Sequence, residues 1–73
     1  MDRLIEILTE LRPDIDFRTQ TQLMTGGALD SLDLMLIVGE IVETFNVSIQ
    51  VSDIKPENFE SAEAIYALIK SKQ

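Results

Sequence analysis

The sequence predicts a small all-α fold: a bundle of three main helices plus one short helix. Three segments repeat their apolar residues at helical spacing. Each is bounded by a capping or stop residue. One further segment alternates in strand fashion, but it has no second strand to pair with. A chain of 73 residues has room for one domain, expected over 1–73, whose modest core leaves it marginally stable.

The first helix is expected from Asp2 to about Arg12. Leu4, Ile7, Leu8 and Leu11 fall at i, i+3, i+4 and i+7 and make one apolar stripe. Pro13 lacks an amide donor and pushes Arg12 out of the helical region, which stops the helix. From Pro13 to about Asp30 no period is sustained, and Gly26-Gly27 reads as loop. A loop this long in so small a domain is uncommon and tends to be functional. Ile15, Phe17, Leu23 and Leu29 are expected to pin it to the core.

The second helix is expected from Ser31 to Phe45, with Asp30 as N-cap and Asp33 completing a capping-box pattern. Leu34, Ile37, Val38, Ile41, Val42 and Phe45 form its core stripe, and Asn46 suits the C-cap. Val47, Ile49 and Val51 then alternate with polar residues. This predicts an extended connector that buries alternate side chains. A short helical turn follows at Pro56 to Phe59, since proline is tolerated at a first helical position. The last helix is expected from Ala62 to about Lys70, capped by Ser61. Ala62, Ile65, Tyr66 and Ile69 line its inner face, with Leu68 beside them. Glu63 near its start and Lys70 and Lys72 near its end suit the helix dipole.

Thirteen acidic residues against six basic ones give a net charge of −7. That charge repels phosphate backbones and anionic membranes, so neither nucleic acid nor membrane is an expected partner. It keeps the domain soluble and favours proteins with basic patches. No targeting segment is visible, and no apolar run approaches the roughly 20 residues of a membrane span. Cytoplasm is the expected compartment, and a monomer the expected state.

The residues offer little for catalysis. There is no histidine and no cysteine, so a nucleophilic serine lacks its usual base, and a disulfide or thiolate metal site has no ligands. Asp14-Ile15-Asp16 has the look of a calcium-loop start. However, Arg18 takes the next ligand position, and Thr19 stands where the loop needs glycine. Gly26-Gly27 lacks the lysine of a phosphate-cradling loop.

One junction stands out, Gly27-Ala28-Leu29-Asp30-Ser31-Leu32-Asp33. Ordinary helix capping explains Asp30 and Ser31 by themselves. Yet Ser31 sits where the long loop ends and an amphipathic helix begins, so its hydroxyl is expected to be exposed. A phosphodiester there would lie beside the unpaired amides of a helix N-terminus, which favour negative charge. Leu32, Met35 and Leu36 project to a second face of the same helix, with Gly39 one turn on. A glycine inside a helix costs roughly 1 kcal/mol relative to alanine. Close approach of a partner surface is one reason for it; alternatively, Leu32 and Met35 cover the long loop.

At these residues the chain resembles the acyl carrier protein family. Leu29-Asp30-Ser31-Leu32-Asp33 is similar to that family's Asp-Ser-Leu motif. The resemblance extends to the leading amphipathic helix, the long loop, the motif helix ending in Phe45, Val47-Ser48-Ile49 and the stretch Ile54–Ser61. It covers nearly the whole chain.

The resemblance implies an acyl-carrier-protein-like bundle. It also implies a 4′-phosphopantetheine cofactor, transferred from coenzyme A to Ser31 by a phosphopantetheinyl transferase. Magnesium would serve that transferase and not this chain. The arm's thiol would hold acyl or aminoacyl groups as thioesters, and the chain itself would catalyse nothing. Asp30 would help the transferase recognise the serine. A loading ligase and acyl-processing enzymes would dock on Leu32, Met35, Leu36, Gly39 and Glu43.

The chain departs from carriers of fatty acid synthesis. Leu36 and Val42 stand where acids are common in that subgroup, Gly39 replaces a usual methionine, and Thr25-Gly26-Gly27 replaces acidic loop residues. The chain is also similar to D-alanyl carriers. A specialised acyl or aminoacyl role is expected, with fatty acid, polyketide, nonribosomal peptide and D-alanyl pathways left open. The contrasting class is an unmodified helical adaptor that binds partners through the apolar face of the second helix.

Overall fold

A computed structural model describes residues 1–73 and contains helices and no strand. Helix α1 spans Asp2–Leu11, one residue short of the expected end. Pro13 forces Arg12 into an extended conformation (φ −138°, ψ 81°), although its amide still donates to the Leu8 carbonyl at 2.9 Å. Leu4, Ile5, Ile7 and Leu8 are buried, and Leu11 is half-buried.

Residues 12–30 run as turns and bends, as expected. Phe17, Leu23 and Leu29 are buried and Ile15 is half-buried, so these four side chains hold the loop on the core. The two loop glycines serve different needs. Gly27 has φ +80°, where a side chain is strained. A Cβ on Gly26 would stand 2.5 Å from the Gln22 carbonyl oxygen, which accepts the Gly26 amide at 2.7 Å.

Helix α2 spans Ser31–Phe45, with the expected bounds. Asn46 ends it in the left-handed region (φ 54°, ψ 49°). Leu34, Ile37 and Ile41 are buried, and Val38 and Phe45 are half-buried. Val42 departs from the expected core stripe and is 39% exposed. At 3.6 residues per turn it lies about 80° around the helix from Leu34, past the edge of the packed face.

The connector buries Val47 and half-buries Ile49, but Val51 is 86% exposed, against the expected alternation. The chain turns into a 3-10 helix at Val51–Asp53, which ends the two-residue period. A second 3-10 turn, Pro56–Asn58, stands where the short helix was expected. Phe59 follows it, fully buried.

Helix α3 spans Ala62–Lys72, two residues beyond the expected end. The Ser61 hydroxyl caps it by accepting the Ala64 amide at 3.0 Å. Ala62, Ile65, Leu68 and Ile69 are buried. Tyr66 is half-buried, with the Lys70 ammonium 5.9 Å from its ring centroid. Helix α1 packs against both α2 and α3, and the second 3-10 turn seats on α3. Every buried residue is apolar. No helix is long and apolar enough to cross a membrane.

Candidate functional site

The junction of loop and α2 is built by reciprocal capping. Asp30 is extended (φ −118°, ψ −175°), and its carboxylate accepts the Asp33 amide at 3.0 Å. The Asp33 carboxylate accepts the Asp30 amide at 3.2 Å, which completes the capping box. The Asp33 amide, chiefly, holds the Asp30 carboxyl below the usual carboxylate range.

Ser31 is the first residue of α2 and is exposed. The capping contacts run between its neighbours Asp30 and Asp33, so they do not engage its hydroxyl.

Arg12 supplies the positive charge at this site. Its Nη1 donates to Asp33 Oδ2 at 2.6 Å and to the Ala28 carbonyl at 3.2 Å. Its Nε and Nη2 reach the two Asp14 oxygens at 3.1 and 3.0 Å. One guanidinium thus joins the end of α1, the end of the loop and the first turn of α2. The hydrogen bonds it donates to Asp14, foremost, raise its pKa.

Helix α2 carries a second stripe opposite its packed one. Leu32, Met35, Leu36 and Val42 are 69%, 64%, 49% and 39% exposed. Gly39 and Glu43 are exposed on the same face, at i+7 and i+11 from Leu32. Leu32 and Met35 point into solvent and so do not cover the loop. Beyond its chain neighbours and the adjacent helix backbone, no atom lies within 4 Å of a Cβ built on Gly39, so no packing contact calls for a glycine there. Helix α2 contains three acids, Asp33, Glu40 and Glu43, and no basic residue.

Two structural residues escaped the sequence reading. Arg12 registers there only as the residue before proline, and Glu60 only as part of the connector. Glu60 accepts hydrogen bonds from Met24 and Thr25 across the fold, a pairing that no local pattern announces.

The pattern of the phosphopantetheine attachment site family matches residues 2–69, nearly the whole chain. The chain belongs to that family. No curated protein and no solved structure matches it. Family membership makes the chain a carrier with covalent 4′-phosphopantetheine, and implies that it meets a phosphopantetheinyl transferase and biosynthetic enzymes.

The exposed start of α2 fits such a group. A helix N-terminus favours a phosphodiester, although here the Asp33 amide is already accepted by Asp30. The Asp30 and Asp33 carboxylates oppose it, but Arg12 offsets Asp33 directly. The cavity of about 120 Å³ between the starts of α1 and α3, lined by Ile5, Phe17 and Ala62 among others, includes no residue of α2.

Proposed function

We propose that residues 1–73 form a single carrier domain with Ser31 as its point of attachment. The observation that carries this reading is the exposure of Ser31 at the first position of α2, within a chain of the phosphopantetheine attachment site family. In the attachment reaction the Ser31 hydroxyl gives up its proton and its Oγ bonds to phosphorus. The pyrophosphate bond of coenzyme A breaks, and the adenosine bisphosphate leaves. The bound arm supplies a thiol on which an acyl or aminoacyl group rides as a thioester.

The chain's own residues present the cargo and catalyse nothing, a reading supported by the lack of histidine and cysteine. Asp30 fixes the start of α2 and marks the serine for the transferase. Leu32, Met35, Leu36, Gly39 and Glu43 form the face on which a loading ligase and processing enzymes dock. The apolar exposure of Leu36 and Val42 supports a specialised acyl or aminoacyl pathway, the D-alanyl kind included, over general fatty acid synthesis. Incubation with coenzyme A, magnesium and a broad-specificity transferase tests the reading. The intact protein gains the mass of one phosphopantetheine, and Ser31→Ala abolishes the gain. A gain that survives Ser31→Ala contradicts it.

A further inference from the structure

We propose that Glu60 is a positioning residue for the attachment reaction, its carboxylate clasping the loop that delivers Ser31. The inference rests on Ser31 being the attachment point. Glu60 lies in the connector, far from that loop in sequence. Its Oε1 accepts the Met24 and Thr25 amides at 2.7 and 2.9 Å, and its Oε2 accepts the Thr25 hydroxyl at 2.9 Å. Its backbone carbonyl accepts the Leu23 amide at 2.8 Å. The Leu23 carbonyl accepts the Leu29 amide at 2.9 Å, and Leu29 directly precedes the Asp30 cap. A run of contacts therefore leads from Glu60 to the threshold of Ser31.

The two sides of this loop are secured differently. Leu23 and Leu29 are 0% and 3% exposed, so packing holds the inner side. Thr25, Gly26 and Gly27 are exposed. Beyond the turn bonds of the two glycines, the Glu60 carboxylate is what ties this outer side to the rest of the fold. An ionised carboxylate that accepts two amides and a hydroxyl forms stronger bonds than neutral acceptors do. A modifying enzyme must seat itself on the surface around Ser31. A loop that wanders leaves fewer molecules ready to be seated, and the apparent affinity falls by that fraction.

The experiment follows loading by a transferase with coenzyme A as the carrier concentration is varied, for wild type, E60A, E60Q and I69V. I69V removes a methyl group from the buried face of α3 and touches none of the hydrogen bonds of Glu60. The expected result for E60A is a KM about tenfold higher with kcat within about twofold. E60Q restores loading, because its amide oxygen still accepts the two amides and its NH₂ donates to the Thr25 hydroxyl oxygen. I69V loads like wild type despite a lower Tm. Amide exchange at Met24 and Thr25 is faster in E60A than in wild type.

An unchanged KM in E60A overturns the inference. So does an equal rise in I69V, an E60Q as impaired as E60A, or an E60A that fails to fold, which makes Glu60 a support of the whole bundle. A wild type that never takes the arm overturns the Ser31 reading itself, whereas a wild type that loads while E60A matches it overturns only the role of Glu60.

Discussion

Arg12 and Asp33, from the end of α1 and the first turn of α2, meet at 2.6 Å, with 31% and 14% of their side chains exposed. The Arg3–Glu6 pair on α1, at 3.4 Å, has 62% and 64% exposed. Burial limits screening by water and salt, so the first pair outweighs the second. Arg12→Ala also strands the Ala28 carbonyl. It is expected to lower Tm by several degrees, whereas Arg3→Ala leaves Tm within error. Thermal melts followed by circular dichroism check both variants.

The cap and the serine beside it separate stability from function. Asp30→Ala removes the acceptor for the Asp33 amide and is expected to lower Tm by a few degrees. Ser31→Ala leaves Tm unchanged, because Ser31 is exposed and stands outside the capping bonds. A large loss in Ser31→Ala would mean that its hydroxyl supports the fold.

The three glycines answer differently to alanine. Gly39→Ala adds a side chain in open space within a helix and is expected to stabilise by about 0.4–1 kcal/mol. Gly26→Ala and Gly27→Ala destabilise, the first by collision with the Gln22 carbonyl and the second by strain at φ +80°. Urea unfolding curves of the three variants test the order. If Gly39 serves a docking partner, the stabilised Gly39→Ala carrier is also processed more slowly by its enzymes.

Stability is expected to fall in acid. Asp14, Asp30, Asp53 and Glu60 are all held below their ordinary values, 3.8 for the aspartates and 4.5 for the glutamate. The first causes are the Arg12 side chain for Asp14, the Asp33 amide for Asp30, the Lys72 side chain for Asp53 and the Thr25 amide for Glu60. A depressed native pKa means that the unfolded chain binds the proton first. Each contribution is therefore complete above the ordinary value and lost as pH falls through the depressed one. Relief of the −7 net charge acts in the opposite sense as pH approaches 4.2. Tm is expected to change little from neutrality to about pH 5 and to drop below about pH 4. A Tm that keeps rising below pH 4 contradicts these assignments.

Helical periodicity and caps made α2 legible to the residue, because Asp30, Asp33 and Asn46 all act locally. The same local chemistry located the α3 cap at Ser61 and the stop before Pro13. Val42 and Val51 were misread because apolar character does not say which neighbour covers it. Val42 clears the edge of the packed face, and the 3-10 turn at Val51 breaks the alternation. Ser31 stands out because a loop–helix junction and a motif coincide there. Glu60 and Arg12 did not stand out, since each acts on partners more than fifteen residues away. Long-range polar pairing leaves no period in a sequence.

The most direct test maps the arm after loading. Fragmentation of the loaded protein is expected to place the phosphopantetheine on the peptide containing Ser31 and on none containing Ser48, Ser52, Ser61 or Ser71. An arm found on any of those four serines, or a chain that stays unmodified with an active transferase and coenzyme A, contradicts the account.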